Sequence, residues 1–252
     1  MEKEPKVIIA LDFASEKESM EFLSKLEGRK LFVKIGMELF YKEGPQMVKK
    51  IKELGHRIFL DLKLHDIPNT VEKAMESIGS LGVDMTNVHA SGAIKMMEGG
   101  KKGLERGAEK VNSTQLENSK SEESKSKASA PMLIAVTQLT STSKDVMNDE
   151  IMIDGNVEDV VIKYAQNTQK AGLNGVVCSP LEVPGIKKAC GSEFITVTPG
   201  IRFENGEKGD QVRITTPKMA KELGSDYIVV GRPITKAENP LEAYDRCVRE
   251  FQ

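Results

Sequence analysis

Eight short apolar runs alternate with longer amphipathic segments along this chain, and the alternation limits the folds that it can adopt. The runs cover 7–12, 31–36, 58–63, 85–90, 133–138, 175–179, 194–200 and 227–232. Nearly continuous apolar runs of this length are typical of strands buried on both faces of a parallel sheet. Eight strand–helix units in 252 residues are the number found in a (β/α)8 barrel. We therefore predict an α/β fold, a single TIM-barrel domain over residues 1–252.

The segments between the runs have helical features. Ser15 and Glu18 form a capping-box pattern that predicts a helix to about residue 26, and Gly44-Pro45 predicts the start of the next. Further helices are expected near 70–81, 92–108, 157–171, 181–190, 215–223 and 239–250. A doubly wound sheet is the alternative. However, Leu11-Asp-Phe-Ala14 stands where that fold has its glycine-rich turn, so the barrel is favoured.

One segment departs from this alternation. Residues 112–130 are rich in Ser, Lys and Glu and contain a single Leu. Such a composition buries too little apolar surface to offset the entropy of ordering, so we predict a flexible low-complexity insertion on the surface. It is not a domain boundary, because the strand–helix pattern resumes at Leu133.

Composition argues against several classes of partner. The formal net charge is −2, there is no Trp and aromatic residues make up 5%. We therefore expect no nucleic-acid partner. No apolar run reaches the length of a membrane span, so we expect no membrane association. The three cysteines have no C-x-x-C spacing and the three histidines have no metal-ligand spacing, which predicts no metal site and a reducing, cytoplasmic location.

The third apolar run ends in closely spaced charges. Asp61 and Lys63 are two residues apart in the predicted strand and should point to the same side, with the intervening leucines on the other. Asp66 follows just beyond the strand, and the second run contains Lys34. A lone Asp-x-Lys pair is more often a structural ion pair. Two buried lysines with two aspartates instead predict an alternating array of charges at an active site.

In a barrel, active residues lie at the C-terminal ends of the strands. The predicted ends, or the positions just beyond them, carry Asp12, Lys34, Asp61, Lys63, His89, Thr140, Arg202 and Arg232. The backbone at Gly231 and the two guanidiniums suit a phosphate, and the polar loop 203–211 resembles a lid. Ordinary surface arginines and structural histidines are the alternatives.

Several motifs together closely resemble the bacterial type of the orotidine 5′-phosphate decarboxylase family. They are Leu11-Asp12, Phe32-Val-Lys34-Ile-Gly36, Asp61-Leu-Lys63-Leu-His-Asp66-Ile-Pro-Asn-Thr70, Asn87-Val-His-Ala90, Thr198-Pro-Gly-Ile-Arg202 and Val230-Gly-Arg232. The resemblance covers nearly the whole chain except about 112–130. The Asp-x-Lys-x-x-Asp element alone would identify only the wider superfamily, whereas the combination is specific.

The resemblance implies a cofactor-free, metal-free homodimer that converts orotidine 5′-monophosphate to UMP and CO2, the last step of pyrimidine nucleotide synthesis. Its catalytic array would be Lys34, Asp61, Lys63 and Asp66. Lys63 would stabilise and protonate the carbanion at C6 of the pyrimidine, and Asp61 would lie near the substrate carboxylate. Asp66 and Thr70 would reach into the partner's active site.

The resemblance also implies the remaining substrate contacts. Asp12 and Lys34 would bind the ribose hydroxyls, Thr140 would contact the pyrimidine, and Gln211, Arg202, Gly231 and Arg232 would hold the phosphate. Two alternatives stay open. One is a magnesium-dependent sugar-phosphate decarboxylase of the same superfamily, which would need an added acidic ligand at a strand end. The other is a non-catalytic nucleotide-binding barrel.

Overall fold

A computed structural model describes residues 5–118, 131–204 and 215–252, and for 112–118 the backbone alone. Eight parallel strands close into a barrel in which each strand pairs with the next and the last pairs with the first. The strands are β1 Val7–Ala10, β2 Phe32–Gly36, β3 Arg57–Leu64, β4 Met85–His89, β5 Met132–Val136, β6 Gly175–Val177, β7 Ile195–Thr198 and β8 Tyr227–Val230. The predicted (β/α)8 fold is confirmed.

Helices cover the outside of the barrel. They are α1 Glu16–Ser24, α2 Met37–Glu43, α3 Pro45–Glu53, α4 Pro68–Gly79, α5 Ala93–Asn118, α6 Val157–Lys170, α7 Val183–Cys190, α8 Pro217–Glu222, α9 Arg232–Thr235 and α10 Pro240–Phe251. Short 3-10 turns at Ala90–Gly92 and Pro180–Glu182 and a π-turn at Val146–Glu150 lie between them. None of these described helices is long and apolar enough to span a membrane.

The core has two layers. Inside the barrel, alternate residues of the strands form a small apolar plug that includes Ile8, Phe32, Phe59 and Val197. The opposite faces of the same strands pack against the helices in a larger outer layer. Because each strand is buried on both faces, its sequence is almost uninterruptedly apolar.

Helices α4 and α5 pack at unusually close range. A methyl group added at Gly103 or Gly107 of α5 would collide with the backbone carbonyls of Glu72 and Glu76 in α4. Nearer the start of both helices, a Cβ at Gly99 would lie 2.9 Å from the carbonyl oxygen of Pro68. Glycine is the residue that permits such an approach. This contact fixes the first turn of α4, directly after the charged end of β3.

The element boundaries differ from the predictions at several points. Most strands end one or two residues earlier than predicted, and Asp12 and Arg202 lie in the loops just past β1 and β7. The short helix α2 begins directly after Gly36 and was not predicted. Helix α5 continues to Asn118, past the expected end near 108, since residues 109–118 contain neither Pro nor Gly. The rest of the predicted insertion, 119–130, lies outside the described residues.

Candidate active site

Four charged groups meet at the C-terminal ends of β1, β2 and β3. Lys34 Nζ lies 3.1 Å from Asp12 Oδ1 and 3.4 Å from Asp61 Oδ2. Lys63 Nζ lies 2.7 Å from the other oxygen of that carboxylate, Asp61 Oδ1. Adjacent parallel strands place their ends side by side, so residues distant in sequence become neighbours here. The charges alternate in sign along the row Asp12, Lys34, Asp61 and Lys63.

A cavity of 310 Å³ opens beside this row. Its volume lies near the lower end of the range for small-molecule sites. The lining residues are Lys34, Phe59, Asp61, Lys63, Val136, Gln138, Leu139, Thr140, Ser141, Val177, Cys178, Pro199 and Val229. Four of the predicted site residues are among them: Lys34, Asp61, Lys63 and Thr140. The cavity has charges on one wall, apolar side chains on another, and hydroxyls and an amide from the loop after β5.

The ionic groups hold one another in their charged forms. Burial alone would raise the pKa of Asp61, but the ammonium groups of Lys34 and Lys63 outweigh it and the pKa is lowered. Burial alone would likewise lower the pKa of Lys34, but the carboxylates of Asp61 and Asp12 outweigh it and the pKa is raised. Both groups are therefore charged at neutral pH.

The backbone at Lys63 departs from the regular strand that was predicted. Its φ is +52°, in the left-handed region. The pairing of β3 with β4 also shifts there, because Leu60 pairs with Thr86 whereas Leu64 pairs with Val88. Lys63 does point to the same side as Asp61, as expected, but it does so from a bulge. Non-glycine residues in this region are strained and are concentrated at functional sites.

Asn87 on β4 is a site residue to which the sequence reasoning gave no role. Its Nδ2 donates to Asp61 Oδ1 at 2.7 Å, and its Oδ1 accepts from the backbone N–H of Lys63 at 2.8 Å. Asn87 is 0% exposed. The available signal was an amide in the middle of an apolar run, since a buried amide must find partners.

Three of the four predicted phosphate-binding residues, Arg202, Gly231 and Arg232, lie at or just past the ends of β7 and β8 and are not among the cavity-lining residues. Arg202 is buried, with Nη1 donating to the Ile201 carbonyl at 2.8 Å. Gly231 precedes α9, and a Cβ there would lie 3.8 Å from Asp12 Oδ2. Arg232 is exposed on the same helix. Gln211 and most of the predicted lid lie outside the described residues.

Asp66 and Thr70 lie away from the charged row of their own chain. Residues 65–70 are all exposed. Asp66 Oδ1 accepts from the adjacent Ile67 N–H at 2.6 Å, and within the described ranges it forms no ion pair with Lys63. A single chain therefore assembles three members of the predicted catalytic array, Lys34, Asp61 and Lys63, without the fourth.

The histidines and Cys178 have the surroundings of structural groups. His89 and His65 lie with ring centroids 5.9 Å apart, and burial, followed by His65 and Lys63, lowers the pKa of His89. His56 lies at the opposite end of the barrel and accepts from the Leu31 N–H. Cys178 is buried, as predicted, and also contributes to the cavity wall; burial raises its thiol pKa.

Comparisons with known proteins agree with this geometry. The family model described as "Orotidine 5'-phosphate decarboxylase / HUMPS family" matches residues 5–247. A relative named orotidine 5′-phosphate decarboxylase in Bacillus cytotoxicus is 55% identical over 246 residues, covering 98% of this chain and 97% of the relative. One of that name in Bacillus mycoides is 54% identical over the same length, with the same coverage.

Solved structures give the same result. The crystal structure of orotidine 5′-phosphate decarboxylase from Lactobacillus acidophilus has a TM-score of 0.83 at 42% identity and covers 98% of each chain. The one from Pyrococcus horikoshii has a TM-score of 0.71 at 21% identity, covering 97% of this chain and 98% of that one, and shows a shared fold. The match over nearly the full length places this chain in the orotidine 5′-phosphate decarboxylase / HUMPS family.

Proposed function

We propose that this chain decarboxylates orotidine 5′-monophosphate to UMP and CO2 in pyrimidine nucleotide synthesis, without a cofactor and in the cytoplasm. The observation that carries the proposal is the Lys34–Asp61–Lys63 row along one wall of the cavity. The named relatives at 54–55% identity point to the same reaction. The three cysteines are free and buried, which fits a reducing compartment.

The chemical step must stabilise a carbanion at C6 of the pyrimidine. The bond from C6 to the carboxylate breaks, CO2 leaves, and the electron pair stays on C6. The ammonium of Lys63 stabilises this charge and then transfers a proton from Nζ to C6, which gives UMP; the amine regains a proton from solvent. Groups fixed before the reaction cost no reorganisation during it, which makes them effective at charge stabilisation.

The other charges of the row set up this step. Asp61 contacts both lysines at 2.7 and 3.4 Å, so it orients Lys63 and keeps the site electrically balanced. Its carboxylate lies close to where the leaving carboxylate would be bound. Asp12 and Lys34 are 3.1 Å apart at the mouth and are suited to bind the ribose hydroxyls. Thr140, which also lines the cavity, contacts the pyrimidine edge.

The phosphate binds at the ends of β7 and β8 in this proposal. Arg202, Arg232 and the backbone of Gly231 supply donors there, with Gln211 from the loop that follows. This end is remote from C6, so its binding energy can serve to order the substrate and close the site. Orotidine without the phosphate should therefore lose turnover as well as binding, and an effect on KM alone would contradict the coupling.

A homodimer with shared active sites completes the array. Residues 65–70, which include Asp66 and Thr70, are exposed and follow β3 directly. The apolar side chain of Ile67, within this stretch, is 66% exposed, which suits a contact with a second subunit. We assign Asp66 and Thr70 to the active site of the partner subunit.

The activity is tested by the absorbance change of orotidine 5′-monophosphate on addition of purified protein, with and without EDTA. Turnover that EDTA leaves unchanged supports the proposal. Turnover abolished by EDTA and restored by magnesium would instead favour the metal-dependent relatives of the superfamily. Binding of UMP with no CO2 release from the substrate would support a non-catalytic nucleotide-binding barrel.

Shared sites are tested by mixing two inactive variants, Lys63→Ala and Asp66→Asn. In a mixed dimer, one site has both substitutions and the other has neither. Random exchange of subunits should restore about a quarter of wild-type activity, because half of the dimers are mixed and half of their sites are intact. No recovery, with mixed dimers demonstrated by native mass spectrometry, would contradict shared sites.

A further inference from the structure

Asp61 and Lys63 share a hydrogen-bonding partner, the side-chain amide of Asn87, which has no substrate-binding role in the proposed mechanism. Asn87 lies in the middle of β4, between Met85 and His89, and is 0% exposed. It is not one of the described residues that line the cavity. Both ends of its side chain nevertheless form hydrogen bonds to the charged row, at 2.7 and 2.8 Å. A buried amide with such partners is costly to disturb.

The hydrogen-bond chemistry leaves one orientation for this amide. The carboxylate of Asp61 can only accept, so the Nδ2 of Asn87 must face it. The backbone N–H of Lys63 can only donate, so Oδ1 must face that group. The amide thus fits between these two partners in one way and connects a side chain and a backbone of β3.

The bond to the Lys63 N–H compensates for the irregular strand. Four steps of β3, from Leu60 to Leu64, lie opposite two steps of β4, from Thr86 to Val88. The Lys63 N–H, at a φ of +52°, bonds to the Asn87 side chain, which projects from β4 opposite the bulge. A non-glycine residue is disfavoured in the left-handed region, where its Cβ comes close to the following carbonyl oxygen. The surroundings must therefore hold this backbone in place.

The bond to Asp61 sets the orientation of the carboxylate. Oδ1 accepts from both Asn87 Nδ2 and Lys63 Nζ, each at 2.7 Å, while Oδ2 faces Lys34 at 3.4 Å. A tilt of the carboxylate plane would break both short bonds. Asn87 therefore helps to fix the direction in which the carboxylate faces the two lysines.

We infer that Asn87 is a positioning residue that holds the Lys63 backbone and the Asp61 carboxylate in the arrangement needed for proton transfer to C6. The inference rests on the proposed role of Lys63. A displacement of about 1 Å at a reacting group can cost roughly 10²-fold in rate. Asn87 contacts no cavity space, so its loss should act on kcat more than on KM.

The matched control is the neighbouring residue on the same strand. Thr86 is also 0% exposed, and its Oγ1 donates to the Leu60 carbonyl at 2.9 Å. Thr86→Val removes one buried hydrogen bond between β3 and β4 and leaves the charged row intact. Asn87→Ala should lower kcat by about 10²-fold with KM changed by less than about threefold, whereas Thr86→Val should leave both within about threefold.

The isosteric variant Asn87→Asp separates positioning from a packing role. Its new carboxylate can still accept from the Lys63 N–H, but it repels Asp61 until it is protonated, when it can donate again. Its kcat relative to wild type should therefore rise as the pH falls from 8 to 5. A wild-type kcat for folded Asn87→Ala, or a change in KM alone, would overturn the inference. Neither result would count against the proposed decarboxylase activity, because that activity is measured on the wild-type chain. A pH-independent ratio for Asn87→Asp would overturn it too.

Discussion

The two ends of the barrel both contain buried or half-buried ionic groups, but they use them differently. At the N-terminal end, side chains just before four strands accept a backbone N–H at or next to the start of the neighbouring strand. His56 bonds to Leu31, Asp84 to Ile58, Asn174 to Leu133 and Asp226 to Thr196. At the C-terminal end, the carboxylate of Asp61 bonds to two ammonium groups and an amide instead.

The difference lies in what each acidic group stabilises. Asp226 accepts from the Thr196 N–H at 2.7 Å and from Lys187 Nζ at 2.6 Å, so it ties the start of one strand to the next. Asp61 accepts no backbone N–H in the described part of the chain, and it faces a cavity. Acidic groups at the N-terminal end of the barrel connect neighbouring strands, whereas Asp61 at the C-terminal end binds two ammonium groups beside the cavity. This division follows the general design of barrel enzymes.

The largest expected effect is the loss of kcat when a lysine is removed from the C-terminal end, compared with removal of a lysine from the N-terminal end. Lys63→Ala should lower kcat by at least about 10⁴-fold, since it removes a proton donor worth roughly 10²–10⁴ and a stabilising charge besides. Lys52→Ala removes the ammonium 2.9 Å from Asp84 at the N-terminal end and should change kcat by less than about twofold. Steady-state kinetics of both variants make the comparison. Near-normal turnover by Lys63→Ala would refute its assignment.

An intermediate effect is expected on stability when an acidic group is removed from the N-terminal end of the barrel. Asp226→Ala leaves the Thr196 N–H without its acceptor and removes the carboxylate partner of Lys187, which keeps the Ser192 and Phe194 carbonyls. It should lower the free energy of unfolding by about 1–3 kcal/mol. The kcat of the folded protein should stay within about threefold of wild type. Urea unfolding and kinetics on the same preparation test this. A loss of kcat without a loss of stability would show that the two ends are not divided as described.

The smallest effect is expected in the pH dependence of stability. The pKa of Asp61 is lowered in the folded chain, so its contribution is present above its unfolded value of about 3.9. That contribution is lost as the pH falls through the lower folded value. Asp61→Asn should therefore show a weaker loss of stability than wild type between pH 5 and 3.

The alkaline side gives the complementary expectation. The pKa of Lys34 is raised, so its contribution is complete below about 10.4 and is lost as the pH rises through the folded value. In the acid experiment, an equal loss of stability between pH 5 and 3 for wild type and Asp61→Asn would contradict the ion pairs described at the C-terminal end.

Periodicity was sufficient to predict the fold, and residue spacing to predict part of the site. Eight apolar runs specify eight strands, and a spacing of two in one strand places Asp61 and Lys63 on one side. Sequence could not show the bulge at Lys63 or its bonds to Asn87, because both depend on how β3 and β4 align in space. The position of Asp66 relative to the array stays a prediction, because the site proposed for it lies on a second subunit.

In the proposed mechanism Lys63 faces the carbon that loses CO2 and is held there by Asp61. A crystal structure of the protein with UMP bound would show this directly. We expect Lys63 Nζ within about 3.5 Å of C6, still bonded to Asp61, with the phosphate at Arg202 and Arg232. A complex in which Nζ lies more than about 5 Å from C6, or in which C6 faces the wall formed by Thr140, would contradict it.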